Sequence, residues 1–404
     1  MATLQPFRAL RPKPSEAAQV AAVPYDVVNT AEARALAGDN PLSFLRVSRA
    51  EIELPDGTDP YSPAVYERAA GNFDRLRRSS LLQDDEPRVY LYRLQMGGHV
   101  QMGVAGCYLL DEYDRDVIRK HERTRPDKED DRTRHMLALG AQTGPVFLTY
   151  RADPEVDLLA ERASAGTPIA DFEAPDGVRH TVWRAGAGDA AALAIAFEHI
   201  PALYIADGHH RAASAARARR QLQAASKTAV DAAAFLAVAF PHDQVQILPY
   251  NRIVKQLNGL TPDSFLEKVR ARFDVQEGSA MPAHRGEIAM YVGRHWHTLR
   301  PHTAPRASDV IGALDVSLLQ DELIAPVLGI TDVRTDKRID FVGGARGTGA
   351  LERLVDSGDA AAAFSLFPVG VSDLMAVSDA GEIMPPKSTW FEPKLRDGLL
   401  IHLI

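Results

Sequence analysis

Two short stretches carry side chains whose types and spacing suit phosphate chemistry. The first is Tyr204-Ile205-Ala206-Asp207-Gly208-His209-His210-Arg211, an apolar run, an Asp-Gly pair and three basic residues at the head of an Ala-rich segment. A strand that ends in a Gly turn and opens a helix leaves free backbone N–H groups at its carboxyl end. Those groups and the helix dipole favour an anion. Asp207 is placed to cap the helix, and Gly208 lets a ligand approach the backbone. Arg211 in the first turn opposes the dipole at a cost of about 0.3–1 kcal/mol. A bound phosphate offsets that cost and accepts the planar donor fork of the guanidinium. Read without chemistry, the stretch is an Asp-capped helix with packed or solvated histidines.

The second stretch is Lys120-His121-Glu122-Arg123-Thr124-Arg125, followed by Lys128-Glu129-Asp130-Asp131-Arg132. It lacks the second His, four residues on, of a zincin helix. A carboxylate among arginines stays ionised, so Glu122 suits removal of a proton from a hydroxyl whose oxygen attacks phosphorus. Thr124, Arg125 and Arg132 are candidates to hold phosphate or a substrate carboxylate. The plain alternative is a solvated helix face with i,i+4 ion pairs. A metal-based alternative takes His121, Asp207, His209 and His210 as ligands, but Asp207, His209 and His210 are crowded for one ion, which ranks it below phosphate.

Weaker signals lie elsewhere. Tyr25-Asp26 either lines a site or makes a strand turn. Lys387-Ser388-Thr389 follows two prolines in an ordered loop anchored by Trp390 and Phe391. Thr335–Asp340 carries no assignable role. Gly343–Gly349 lacks the Gly-Lys-Ser/Thr ending of a P-loop and reads as a flexible turn.

The elements that must position these residues alternate between helical and strand patterns, which predicts an α/β fold, or α+β with a mixed sheet. The segment 21–28 reads as extended, and Asn29 or Thr30 caps a helix to about Ala37. A helix follows over 64–82. Strands at 88–95 and 100–110 join through Gly97-Gly98, a hairpin signal. A helix is expected from Lys128 to Leu139, a strand over 145–150, a hairpin over 172–183 turning at Asp176-Gly177, and a helix over 189–199. The strand 202–206 then leads to Asp207-Gly208, the helix 209–224 and the strand 234–240. Beyond Pro249 come a helix at 262–272, a hairpin over 288–299, a helix over 317–328 and a strand over 361–368. The expected division is 1–250 and 251–404.

With 404 residues, 46 % of them apolar and 25 % charged, the chain has material for a sizeable core, in two or three domains or one elaborated α/β domain. The net charge of -8 disfavours nucleic acid and anionic membranes as partners. The single cysteine, Cys107, lies in an apolar run and reads as a core thiol of a reducing, cytoplasmic compartment. The N-terminus shows no signal-peptide pattern, and the longest apolar run, Ala232–Phe240, is too short to span a bilayer.

The strand-Gly-basic-helix element resembles the ParB/sulfiredoxin superfamily, with Gly208-His209-His210-Arg211 where ParB proteins carry Gly-Glu-Arg-Arg and sulfiredoxins Gly-Cys-His-Arg. More specifically, the chain resembles the domain of unknown function 1015 family. That family's four boxes appear as Pro24–Val27, His121–Thr124, Asp207–Arg211 and Pro386–Thr389. His209 stands in place of the sulfiredoxin cysteine, so thiol chemistry is not expected, and no DNA-reading helix pair is evident. The resemblance extends to free-serine kinases. It implies a ParB/sulfiredoxin-like nucleotide-binding core with additional C-terminal α/β elements, and phosphoryl transfer from ATP or ADP with Mg²⁺ to a small hydroxylated metabolite such as serine. Glu122, His121 and Asp207 are then the catalytic set, and Asp207 also reaches the metal. Gly208, His209, His210, Arg211, Thr124, Lys387, Ser388 and Thr389 hold the nucleotide. A nucleotide-binding regulator without turnover and a metal-dependent phosphoesterase are the alternatives.

Overall fold

The computed structural model describes residues 1–225, 230–303 and 309–404. The architecture is mixed α/β, as the alternating pattern predicts. The chain forms two compact units, one of 1–245 with 393–404 and one of 246–392. The segment Pro393–Ile404, which the expected division assigns to the second domain, therefore belongs to the first unit.

The first unit is organised on a nine-stranded mixed sheet. Its strands are β1 (Leu4–Gln5), β2 (Tyr90–Met96), β3 (His99–Leu109), β4 (Ile118–Arg119), β5 (Val146–Tyr150), β6 (Ala170–Glu173), β7 (Val178–Arg184), β8 (Leu203–Asp207) and β9 (Ala234–Pro241). The order is β4-β8-β5-β9-β3-β2-β7-β6, with β1 on β3. Every residue of β9 is buried, and so is every residue of β5. That explains their near-continuous apolar sequences, since a strand covered on both faces has no polar alternation. The hairpin at Gly97-Gly98 forms between β2 and β3, with Gly97 at φ 57°.

The longer helices of this unit are α1 (Thr30–Ala37), α2 (Pro63–Ser79), α3 (Pro126–Leu139), α4 (Pro154–Ala163), α5 (Ala187–Phe197) and α6 (His209–Ala224). Asn29 caps α1 through a complete capping box with Glu32. Val156 and Leu159 of α4, Leu193 of α5 and Ala212, Ala215, Ala216 and Ala218 of α6 pack into one core with the apolar strand residues. A second core joins Phe44, Phe73, Leu76 and Ile401. The segment 21–28 departs from its extended reading. Only Ala22 pairs, with Asp397, and the chain then turns, with the Val27 N–H donating to the Pro24 carbonyl.

The C-terminal segment is stitched into the first unit by main-chain bonds. Leu10 and Ile401 exchange hydrogen bonds, as do Ala22 and Asp397, and Gly398 N–H donates to the Thr143 carbonyl. Arg396 adds a buried link, donating to His180 Nε2 at 3.0 Å and to Asp176, while His180 Nδ1 meets Tyr92 OH at 2.9 Å.

The second unit contains a six-stranded antiparallel sheet of β10 (Tyr250–Val254), β11 (Phe273–Glu277), β12 (Ile288–Val292), β13 (His295–Pro301), β14 (Ile339–Gly343) and β15 (Ala362–Leu366), in the order β11-β13-β12-β15-β10-β14. The helix expected over 317–328 is interrupted by a π turn at Gln320–Ile324. Gly343–Gly349 is not a flexible turn: it ends β14, forms a 3₁₀ turn at Gly344–Arg346 and opens the helix Thr348–Asp356.

The sheet's close packing generates a test. A Cβ at Gly103 would lie 2.6 Å from Val238 Cγ1 and 2.7 Å from the Phe240 ring, whereas one at Gly98 meets nothing within 4 Å. Overpacking a core costs about 1–3 kcal/mol. Gly103→Ala should lower the urea midpoint by a corresponding amount while Gly98→Ala leaves it nearly unchanged; equal midpoints would contradict this packing.

Candidate functional site

Strand β8 runs parallel to β4, with Leu203 beside Ile118 and Tyr204 beside Arg119. The two stretches singled out from the sequence leave the carboxyl ends of these neighbouring strands, the position where open α/β sheets bind ligands. A register shift between Ile205 and Asp207 in the β8–β5 ladder re-aims the end of β8. Gly208 then turns the chain at φ 96°, a conformation that glycine adopts freely, and α6 begins.

Asp207 does not cap α6. Gly208 holds the cap position and brings no side-chain cap. Instead Asp207 Oδ2 accepts from Lys394 Nζ at 3.2 Å and from Arg211 Nη2 at 3.3 Å. Burial alone would raise this carboxyl's pKa, but the Lys394 and Arg211 charges outweigh it and hold it well below the usual range. With two cations on one oxygen, Asp207 does not fit the role of Mg²⁺ ligand.

Arg211 turns inward. It is buried, and besides Asp207 its guanidinium donates to the Pro145 carbonyl. It packs over Gly208, where a Cβ would come within 2.9 Å of its Nε. The dipole conflict expected at this helix start is thereby removed: Arg211 is neutralised by Asp207, and burial holds His209 well below its usual pKa, so it carries no charge.

The histidines fasten the second stretch. The His121 N–H points at His209 Nε2 at 3.4 Å, and the two rings meet edge-on at 4.5 Å. Arg125 N–H donates to His210 Nε2 at 3.1 Å. His121 is buried, and that burial lowers its pKa to about 4. Glu122 stands at the mouth, its side chain 40 % exposed and Oε2 4.0 Å from His209 Nδ1. Thr124 Oγ1 donates to Glu129, and Arg125 pairs with Asp127. Thus His121, Glu122, Thr124 and the Asp207–Arg211 turn converge in the first unit. Lys387, Ser388 and Thr389 belong to the second unit. There Ser388 Oγ donates to the Pro385 carbonyl, and Arg252 donates to the Lys387 carbonyl.

Arg132, a candidate phosphate holder, also points inward. It pairs with Asp131 at 2.7 Å and lies 4.1 Å over the Tyr25 ring, which gives the Pro-Tyr-Asp-Val segment a structural partner. Tyr25, Arg132, Arg211 and Asp397 line a cavity of about 40 Å³ with Gly144. Asp397 is almost fully buried, and its Oδ1 has no hydrogen-bond partner among the described residues. Lys394 and Asp397 escaped the sequence reading; the available signal was a Lys-Leu-Arg-Asp cluster entering the apolar Leu399-Leu400-Ile401 run.

Burial raises the Asp397 pKa to about 7, with Asp26 adding to the shift and Arg211 and Arg132 opposing it. An unfolded Asp titrates at about 3.9, so between these values the folded chain holds a proton that the unfolded chain has lost. This contribution is full at low pH and is lost as pH rises through about 7. The wild type should therefore lose stability relative to Asp397→Asn as denaturation is measured from about pH 4.5 to 7.5; a pH-independent difference would refute the assignment. Referring the effect to the variant matters, because buried His121 and His135, both lowered to about 4, produce the opposite slope.

Comparisons with known proteins follow this geometry. No curated protein matches the chain. Among solved structures, it is similar to SbnI with C-terminal truncation from Staphylococcus aureus (14 % identity, 74 % of this chain and 87 % of that chain, TM-score 0.42). It is similar to a free serine kinase in complex with AMP (15 % identity, 74 % and 91 %, TM-score 0.36). A conserved hypothetical protein from Pyrococcus furiosus stands at a similar distance (16 % identity, 74 % and 95 %, TM-score 0.36). The model of the protein family of unknown function DUF1015 matches residues 4–317, which takes in three of the four boxes, and the chain belongs to that family.

Proposed function

We propose that the chain is a nucleotide-dependent phosphotransferase acting on the hydroxyl of a small metabolite, with free serine the first acceptor to try, on a ParB/sulfiredoxin-like core. The observation that carries this reading is the meeting of the two loops at the carboxyl ends of β4 and β8. It sets a carboxylate beside a helix start whose cap residue is a glycine.

The residues fit a phosphate at that helix start. The first-turn N–H groups of α6 point out of the helix, and its dipole favours negative charge. ATP or ADP would bring the transferable phosphoryl group. The acceptor oxygen attacks the terminal phosphorus, the bond from that phosphorus to the nucleotide's bridging oxygen breaks, and the hydroxyl proton passes to Glu122. His121 and His210 act on position: their contacts with His209 and with Arg125 N–H hold the loop against α6. Arg211 and Lys394 act through Asp207, fixing the turn at Gly208. Such transfer is mostly positioning and charge stabilisation, which agrees with a site built from hydrogen-bonded loops.

Nucleotide with Mg²⁺ should raise the melting temperature of both the wild type and Glu122→Gln. Product formation, followed with free serine and a panel of small alcohols, should fall by about 10²–10⁴-fold in Glu122→Gln, the usual range for loss of a general base. Unchanged turnover in the variant would remove Glu122 from the chemistry. Nucleotide binding without transfer to any acceptor would favour a regulatory binding protein, and no binding of any nucleotide would end the reading.

A further inference from the structure

His121, Glu122 and His209 each bring one nitrogen or oxygen to within 4.8 Å of the others. Two donors each about 2.1 Å from one ion stand no more than about 4.2 Å apart, so side-chain movements of under about 1 Å close the set. The donor types are selective. Two imidazoles and a carboxylate with room for further ligands suit first-row transition ions, whereas Mg²⁺ prefers oxygen ligands and keeps its waters.

The surroundings are those of ligands. Both rings are buried, and a neutral imidazole offers one nitrogen lone pair to an ion. The two rings stand edge-on with centroids 4.5 Å apart, one on each of the two loops. Glu122 completes the set from the solvent side, at the mouth. The neighbouring candidates are engaged elsewhere: His210 Nε2 takes the Arg125 N–H, and Asp207 takes Lys394 and Arg211.

We infer that His121, Glu122 and His209 form a site for one divalent transition-metal ion of the Zn²⁺, Mn²⁺ or Co²⁺ class, with open coordination positions toward solvent. Binding through His209 Nδ1 moves that ring's proton to Nε2. The 3.4 Å contact from the His121 N–H, already longer than an ordinary N–H hydrogen bond, then opens. Glu122 ligates through one oxygen and keeps the other for a proton. An ion there would polarise a phosphoryl oxygen, which deepens the phosphotransferase reading and rests on the same loops. Ion binding itself requires neither nucleotide nor acceptor.

The tag-free full chain, stripped with chelator, is titrated with Co²⁺ and followed by visible absorption. Elemental analysis after dialysis against Zn²⁺ or Mn²⁺ gives the stoichiometry. One ion per chain is expected, with Co²⁺ ligand-field bands that millimolar Mg²⁺ does not remove. His121→Gln, His209→Gln and Glu122→Gln should each weaken Co²⁺ binding at least about tenfold, since even outer-contact losses cost 10–100-fold. Circular dichroism checks that each variant is folded; Glu122→Gln, at a half-exposed position, keeps the test decisive if a buried-histidine variant is not. No stoichiometric ion, or a Co²⁺ affinity unchanged in Glu122→Gln, overturns the site. A chain that binds Co²⁺ through these residues but transfers no phosphate keeps the site and loses the phosphotransferase reading; transfer without ion binding does the reverse.

Discussion

The site depends on one largely buried carboxylate shared by two cations. Asp207 ends β8, and its Oδ2 holds Lys394 from the C-terminal segment and Arg211 from the first turn of α6. Burying a charge is expensive unless it is paired, and breaking such a pair leaves the remaining charges uncompensated. The direction of the turn at Gly208, the neutrality of the α6 start and the seating of the C-terminal segment are therefore one electrostatic problem with one solution. Once α6 is fixed, His209 and His210 present their nitrogens to the other loop, and Glu122 takes its place at the mouth.

Much of the fold was legible because its signals are local. Helix α6 has the bounds 209–224 that its sequence predicts, and the hairpin at Gly97-Gly98 forms where the glycines place it. The strands expected over 145–150 and 234–240 form as β5 and β9, both fully buried. The convergence of the two loops was not legible from either alone, since it depends on β4 lying parallel to β8 across more than eighty residues of chain. The orientation of individual charges was hidden for the same reason. Asp207 reads as a helix cap until Lys394, 187 residues away, is seen to claim it. Arg211 and Arg132 read as phosphate ligands, yet each finds an interior partner contributed by a distant element.

The buried polar groups divide by satisfaction. His180 is fully engaged between Tyr92 and Arg396 and acts as a fastener. Asp397 has an oxygen without a partner beside Arg211 and Arg132 and lies against Gly144, where a Cβ would come within 2.2 Å of that oxygen. A glycine is needed there to let the carboxylate in. Such incompletely satisfied groups are unusual in native interiors. Here one sits directly behind the arginine that orders the candidate phosphate turn.

The stitching of Pro393–Ile404 into the first unit has a consequence for the order of events during synthesis. The second unit is a continuous stretch, 246–392, and all of it leaves the ribosome before residue 393. It can therefore complete its six-stranded sheet on the nascent chain. The first unit, although made earlier, waits for Lys394 to neutralise Asp207 and for Ile401 to pair with Leu10. Domains made first usually fold first. In this chain the earlier unit is finished after the later one, and the turn at Gly208 acquires its charge balance only when Lys394 arrives.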